Sequence, residues 1–140
     1  MSLWLAMLMA MAPPIHIGEP KIGTQRLPFS DAVRVGDMLY LSGQIGNKPN
    51  GTLPAGIDAQ AHQAMDNIGH ILKAQGLGFG DVVKCTVMLD NMSDWPAFNK
   101  AYVTYFPDGK FPARSAFGAD GLAMGALVEV ECWAYRPSNK

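Results

Sequence analysis

The longest hydrophobic pattern in the chain lies between residues 57 and 75, where apolar residues recur at intervals of three and four. This is the period of a helix that buries one face. Asp58 stands near the expected N-cap, and Gly76 stands where helices commonly end. Ser93 is placed to cap a second helix. The predicted buried stripe of that helix is aromatic and consists of Phe98, Tyr102 and Tyr105 or Phe106.

Alternation of apolar and polar residues predicts the strands. The segment "FSDAVRVGDMLYLSGQIG" is typical of two short strands joined at Gly36-Asp37, a two-residue hairpin signal. In "DVVKCTVML", alternate residues are predicted to share the covered face of a sheet. These residues are Val83, Cys85, Val87 and Leu89. Two further strands are predicted around residues 114–117 and 127–135.

The last predicted strand separates apolar from mixed residues. One face carries Val128, Val130, Cys132 and Ala134, and the other carries Leu127, Glu129, Glu131, Trp133 and Tyr135. The order of elements predicts an α+β fold in which two helices pack on one face of a single mixed sheet. The other face would expose aromatic side chains beside charge, and a second copy of the chain is the simplest cover for it.

Composition narrows the class of function. The 140 residues are 49% hydrophobic and 16% charged, which indicates one globular domain. We assign it to residues 21–140, after an apolar, proline-containing arm at 1–20. A formal net charge of -1 favours neither nucleic acid nor an anionic membrane. His16, His62 and His70 lack metal-ligand spacing, so no metal site is expected.

The cysteines and the N-terminus bear on location. Cys85 and Cys132 each lie inside an apolar run, and we interpret them as buried thiols in a reducing, cytoplasmic setting, although spacing leaves a single disulfide open. The opening "MSLWLAMLMAMAPP" imitates a signal-peptidase site. No basic residue precedes its apolar run, and the run is too short to span a bilayer as a helix. A start placed upstream of the true one is therefore favoured over export.

Arg114, in "KFPARSAFGAD", stands among small and apolar neighbours. A guanidinium cannot lose its charge, so this setting requires an anionic partner. The partner is either Glu129 or Glu131 in a salt bridge, within the chain or at an interface, or the carboxylate of a ligand. Spacing alone favours the salt bridge. In the second case a glutamate in a partly apolar cleft would hold or deprotonate a water molecule.

Ser42-Gly43 is the other candidate for binding. No histidine is placed to activate the serine, and the surrounding sequence lacks the nucleophile-elbow pattern. We expect these residues to offer a hydroxyl and backbone N–H donors to an anion. A strand kink is the alternative interpretation of Gly43.

Five segments, in this order, resemble the YjgF/RidA family of reactive intermediate deaminases, also described as endoribonuclease L-PSP or translation initiation inhibitor. They are "PFSDAVRVGDMLYLSGQIG", "QAHQAMDNIGHILKAQG", "DVVKCTVMLDNMSDWPAFNKAY", "FPARSAF" and "GALVEVECWA". The resemblance runs from about residue 27 to residue 135. It implies a chorismate-mutase-like fold, a homotrimer with clefts between subunits, and hydrolysis of 2-enamine and 2-imine acids to 2-keto acids and ammonia without a cofactor.

The resemblance also implies roles for individual residues. Arg114 matches the arginine that clamps the substrate carboxylate, Glu129 matches the acid that places the water, and Glu131 is then structural. The other matching cleft positions are Phe29, Ser42, Gly43, Asn99 and Ala116. Phe29 replaces the tyrosine usual in the family and Ala116 replaces the usual cysteine, so the substrate range or the rate is expected to differ. The segment "YFPDGKFPARS" departs in length at the rim of the cleft.

Three other functions stay open at this stage. One is deamination of a dicarboxylate, with Arg26 as a second anionic contact. Another is a binding or regulatory protein that senses a keto acid without turnover. The third is a ribonuclease, for which the chain lacks a basic stripe and a histidine or lysine pair suited to phosphodiester cleavage. The deaminase, with a small carboxylate substrate and no nucleic acid or membrane partner, is the prediction.

Overall fold

The computed structural model describes residues 12–137, in which a mixed sheet carries two helices on one face. The strands are β1 (Ile15–Ile17), β2 (Lys21–Ile22), β3 (Gln25–Arg26), β4 (Ala32–Val35), β5 (Met38–Leu41), β6 (Gln44–Ile45), β7 (Val82–Leu89), β8 (Ala113–Gly118) and β9 (Val128–Tyr135). The helices are α1 (Ile57–Ala74) and α2 (Trp95–Val103). The sheet runs in the order β1-β4-β5-β9-β7-β8, β6 pairs with β9, and β2 and β3 form a separate hairpin.

Connections follow from the direction of each pair. The β4–β5 pair is antiparallel and closes at Gly36, whose positive φ of 57° suits the predicted tight turn. The β7–β8 pair is parallel, and a parallel pair needs a crossover. Helix α2 supplies that crossover. Strand β1 adds part of the N-terminal arm to the sheet, whereas the apolar residues 1–11 lie outside the described residues.

The core lies between the helices and the sheet, as predicted. Met65, Ile68 and Leu72 of α1 and Phe98 of α2 are fully buried. They meet the apolar face of β9, whose members Val128, Val130, Cys132 and Ala134 are all buried. Alternation within β9 then turns its glutamates and aromatic residues to the other face.

The outer face of the sheet keeps its aromatic side chains partly exposed. Trp133 is 38% exposed and packs edge-to-face on Tyr40, with ring centroids 5.2 Å apart. Its indole Nε1 donates a hydrogen bond of 3.0 Å to Glu131. Aromatic pairs of this geometry usually add to packing energy. The face thus matches the predicted mixture of charge and aromatic surface.

Both helices begin within two residues of the predicted caps. The N-cap of α1 is Gly56, so Asp58 lies in the first turn, where its carboxylate still complements the positive end of the helix. The N-cap of α2 is Asp94, because Ser93 belongs to a preceding 3₁₀ turn and donates its N–H to Asn91. Gly76 does end α1, with a φ of 72° and its N–H bonded to a carbonyl of the last turn.

The prediction of which residues of β7 face the core is wrong at the start of the strand. A register irregularity between Val82 and Lys84 places Val82 in the core and leaves Val83 41% exposed. A bulge inserts one residue into the alternation, which reverses the side on which the preceding residues point. Cys85, Val87 and Leu89 keep the predicted face.

The prediction of free thiols is wrong, because Cys85 and Cys132 form a disulfide. They lie directly opposite each other on β7 and β9, with Cα atoms 4.1 Å apart. Neither sulfur is exposed to solvent. The pairing depends on the register between strands that are 47 positions apart in the chain, which spacing alone could not reveal. Within residues 12–137, no helix combines the length and the hydropathy needed to cross a bilayer.

Candidate active site

Arg114 lies on β8 and points to the helical side of the sheet. It is in register with buried Cys85, and residues paired across neighbouring strands share a face. Its Nη2 donates a hydrogen bond of 2.8 Å to the side-chain oxygen of Asn99. Its guanidinium carbon lies 4.6 Å from the ring centroid of Tyr102 and 5.8 Å from that of Phe98. Helix α2 therefore orients this arginine.

The salt bridge predicted within the chain is absent. Among residues 12–137, the ion pairs join Arg26 to Glu19 and, if the imidazole is protonated, His62 to Asp58. Arg114 is half-buried, yet its only hydrogen-bond partner in this part of the chain is the neutral amide of Asn99. A half-buried guanidinium without an anionic partner is suited to bind a carboxylate through its remaining donors.

Glu129 lies on the opposite face, on β9. It is in register with Met88 of β7 and Ile45 of β6. Its carboxylate lies over the backbone of Gly43, so that a Cβ built on Gly43 would be 3.0 Å from Cδ of Glu129 and closer still to Oε1. Gly43 is needed here because any side chain would displace the carboxylate.

The electrostatic surroundings of Glu129 favour proton transfer. Partial burial raises the pKa of its carboxyl above the ordinary value, and the nearby charge of Glu131 raises the pKa further. Both causes oppose ionisation, which brings a carboxyl group closer to the range useful for general acid–base chemistry at neutral pH. Glu131 accepts the hydrogen bond from Trp133. It thus acts on Glu129 through its charge.

Ser42 builds the wall beside Glu129. Its hydroxyl donates a hydrogen bond of 2.6 Å to the carbonyl of Ser30, and its backbone N–H donates one of 2.9 Å to the carbonyl of Asp31. The hydroxyl and the backbone N–H of Ser42, both expected to meet an anion, are therefore engaged within the chain. Phe29, 47% exposed, lines an open groove with Ser30 and Ser42. His16 and Arg26 also border that groove.

The predicted site residues thus fall into two groups. We call Phe29, Ser42, Gly43 and Glu129 the carboxylate half, and Asn99, Arg114 and Ala116 the arginine half. Ala116 follows Arg114 by two positions on β8 and packs against the core, so it shares the helical face. The sheet separates the key groups of the two halves within one chain, since Arg114 faces the helices and Glu129 faces away from them.

A second, larger groove holds neither half. It runs between α1 and the loop at residues 47–51, and its lining includes Lys48, Asn67 and His70. The side-chain amide of Asn67 donates hydrogen bonds to the carbonyls of Ile45 and Asn47, and these bonds hold the loop against the helix. Residues 12–137 also contain no cluster of three or more histidine, cysteine or acidic side chains arranged to hold a metal ion.

Tyr102 and Phe98 were predicted as core residues only. Both are buried, as expected, but both also contact the guanidinium of Arg114. The spacing held a partial signal, because Asn99 and Tyr102 are three positions apart and so lie on neighbouring parts of one helix surface. That Arg114 meets this surface depends on the crossover between β7 and β8.

The fold and the two halves of the site define a class of protein, and comparison with known families identifies that class. The family described as Endoribonuclease L-PSP matches residues 23–136. This chain therefore belongs to the endoribonuclease L-PSP family, the YjgF/RidA family that its sequence resembles.

Particular relatives can also be named. A curated mouse protein, "2-iminobutanoate/2-iminopropanoate deaminase", is 44% identical over 109 residues, which are 76% of this chain and 80% of the mouse protein. The crystal structure of the Escherichia coli YjgF gene product superposes with a TM-score of 0.75 at 38% identity, covering 78% of this chain and 88% of that one. The structure of E. coli TdcF with bound serine superposes with a TM-score of 0.75 at 32% identity. The match covers 79% of this chain and 89% of TdcF.

Proposed function

We propose that this chain is a cofactor-independent deaminase that hydrolyses reactive 2-imine and 2-enamine acids to 2-keto acids and ammonia. One observation carries the proposal: a half-buried guanidinium without an anionic partner and a half-buried carboxyl of raised pKa occupy two separate halves of a site. The relatives support it, because the mouse relative is named for 2-iminobutanoate and 2-iminopropanoate.

We further propose that the two halves meet between subunits of a homotrimer. Arg114 and Glu129 lie on opposite faces of the sheet in one chain. In a cyclic trimer the interface is heterologous, so a neighbouring copy that covers the aromatic outer face would bring its own Arg114 to Glu129. The partly exposed Tyr40 and Trp133 on that face support such an interface.

In this scheme Arg114 binds the substrate carboxylate in a bidentate manner and Asn99 holds the guanidinium in place. Serine, the ligand seen in TdcF, carries the same α-carboxylate group. Phe29 forms an apolar wall against the remainder of the substrate, and the backbone around Ala116 faces the imine. Because Phe29 has no hydroxyl, a polar contact usual in the family is missing, and a preference for small apolar side chains follows.

Glu129 holds the water and moves the protons. Its carboxylate accepts a proton from the water while the water oxygen bonds to C2 of the protonated imine, whose C=N π electrons move to nitrogen. The proton then passes to the amine nitrogen and the C–N bond breaks, with its electron pair leaving on ammonia. An oxygen lone pair re-forms the carbonyl as the hydroxyl proton passes through Glu129 to that ammonia. One water and one iminium acid give one 2-keto acid and one ammonium ion. Holding the water against C2 supplies much of the acceleration.

Two of the other functions receive no support from the site. Arg26 borders the groove beside Phe29, but its partner at 3.5 Å is Glu19, so it does not offer an unopposed charge to a dicarboxylate. The formal net charge of -1 provides no overall positive field to attract nucleic acid. A cytoplasmic location stays a prediction from the sequence, and the buried disulfide removes the argument from free thiols.

Ammonia release from 2-iminobutanoate generated in situ tests the function directly. Wild type is expected to accelerate release above the buffer rate, and Arg114→Ala is expected to abolish that acceleration while remaining folded and trimeric. Wild type at the buffer rate with retained binding of 2-oxobutanoate would instead support the keto-acid-sensing function.

Gly43→Ala is expected to lower kcat by about a hundredfold, because the added Cβ displaces the Glu129 carboxylate and a shift of the order of 1 Å can cost that much. Steady-state kinetics checks this. Gly80→Ala is the matched control, since a Cβ there meets nothing within 4 Å. Equal kinetics for Gly43→Ala and wild type would exclude Glu129 from the reaction.

Glu131→Gln is expected to shift the acid limb of the pH dependence of kcat/KM to lower pH. Activity requires the Glu129 carboxylate and is lost as pH falls through the pKa of that group, which burial and Glu131 both raise. Removing the charge of Glu131 removes the smaller cause, so the limb moves to lower pH while the effect of burial remains. Gln keeps an acceptor for Trp133. A limb that stays in place or moves up would contradict the assignment of Glu129 as base.

A further inference from the structure

Tyr102 is unusual among the buried aromatic residues of this chain. It is only 3% exposed, and its hydroxyl is buried without a hydrogen-bond partner among residues 12–137. Buried tyrosine hydroxyls nearly always find partners, since leaving one unpaired costs free energy. The hydroxyl therefore does not explain why an aromatic residue stands at this position.

The ring of Tyr102 makes the contact that does explain it. Its centroid lies 4.6 Å from the guanidinium carbon of Arg114, well inside the range of a cation–π interaction and closer than the 5.8 Å to Phe98. Asn99 bonds the same guanidinium through Nη2 at 2.8 Å. The ring of Tyr102 thus packs on the face of the guanidinium, and Asn99 binds its edge.

The ring is itself held in position. Phe98, Phe106 and Phe111 surround it, with ring centroids 5.6, 4.9 and 6.5 Å away, and Phe111 lies nearly parallel to it. Phe98 and Tyr102 belong to α2, whereas Phe111 precedes β8. This aromatic cluster therefore joins the helix to the segment that leads into Arg114. A ring held in this way can keep the flexible side chain of Arg114 in one orientation.

We propose that Tyr102 is a positioning residue for the reaction, whose ring face orients the Arg114 guanidinium for bidentate binding of the substrate carboxylate. The proposal rests on the function proposed above. An arginine has several rotatable bonds, and a bidentate contact demands one plane. If the plane is not held in advance, part of the binding energy is lost in ordering the side chain.

The test compares Tyr102→Leu, which removes the ring face, with Tyr102→Phe, which keeps it. Equilibrium binding of 2-oxobutanoate and the KM for 2-iminobutanoate are measured for both. Tyr102→Leu is expected to weaken binding and raise KM by about tenfold, the size of a partly buried cation–π contact, with kcat changed much less. Tyr102→Phe is expected to rescue most of that loss.

Phe106→Leu separates positioning from general packing. Phe106 is buried in the same cluster and contacts Tyr102 and Phe111, but no cation–π contact joins it to Arg114 within residues 12–137. It is expected to lower the melting temperature about as much as Tyr102→Leu does, without the rise in KM. If Tyr102→Leu does not fold, Tyr102→Met offers an unbranched side chain that adapts better to the space and still lacks a ring.

Each remaining outcome has a defined meaning. Equal losses in Tyr102→Phe and Tyr102→Leu would assign the effect to the hydroxyl and overturn the role of the ring. If Phe106→Leu raises KM as much as Tyr102→Leu does, the role of Tyr102 is packing and not positioning. If wild type turns over substrate and Tyr102→Leu matches it, the positioning role alone fails. If wild type neither binds 2-oxobutanoate nor releases ammonia, the proposed function fails and the inference with it.

Discussion

Arg114→Ala and Glu129→Gln, each inactive alone, are expected to regain activity when they are unfolded together and reassembled. The two residues lie on opposite faces of the sheet in one chain, so a site that uses both must combine Arg114 of one subunit with Glu129 of another. In a random mixture a site works only where its arginine comes from the glutamine variant and its glutamate from the alanine variant. About one quarter of the sites meet both conditions for independent subunits of a symmetric ring.

Ammonia release from 2-iminobutanoate measures the recovery against wild type treated in the same way. Each single variant, carried through the same cycle by itself, is expected to stay below about one thousandth of the wild-type rate, as removal of a charged group that acts in the transition state commonly causes. Recovery would show that the arginine half and the carboxylate half belong to different chains.

A matched control uses the double variant, Arg114→Ala with Glu129→Gln, mixed equally with wild type. If sites are shared between chains, reassembly is expected to lower activity from about one half of the undiluted wild-type value to about one quarter. If both residues act within one chain, the double variant leaves activity at one half, and the mixture of single variants stays inactive. That pair of results would contradict the intersubunit site.

Reduction of the bond between Cys85 and Cys132 is expected to lower the free energy of unfolding by about 4 kcal/mol. The bond joins positions separated by 47 residues in the chain, and the chain-entropy model assigns roughly that stabilisation to a loop of this length. The bond also lies between β7 and β9, in the interior of the main sheet. Its loss therefore acts on the strands that carry the core.

Denaturant unfolding with and without reductant measures the difference, at one protein concentration because assembly also contributes to stability. The variant with both Cys85→Ala and Cys132→Ala provides the control, since reductant has no bond to break in it. Reductant is expected to shift the midpoint of wild type only. Two thiols that titrate in denaturant without reductant, together with an unchanged midpoint, would show that the bond is absent from the protein.

Local patterns predicted most of the elements correctly. The helical period at residues 57–75 corresponds to α1, the aromatic stripe lies in and directly after α2, and the alternation in β9 separates the faces as predicted. These features depend on side chains a few positions apart, whose geometry is set by the backbone repeat. The hairpin at Gly36-Asp37 is equally local. The predicted N-caps were displaced because neither helix has a side-chain hydrogen bond at its N-cap, so nearby polar residues do not define where it begins.

The amino-acid sequence by itself determined the fold class and the two-faced last strand. Through its family resemblance it also made Arg114 and Glu129 the candidates for binding a carboxylate and a water. Only the tertiary structure decided that Cys85 bonds to Cys132, that Val83 leaves the core at a bulge, and that Arg114 turns towards Tyr102. Each of these depends on register or on a crossover between distant segments. Such relations arise from the pairing of whole strands, which no window along the chain contains.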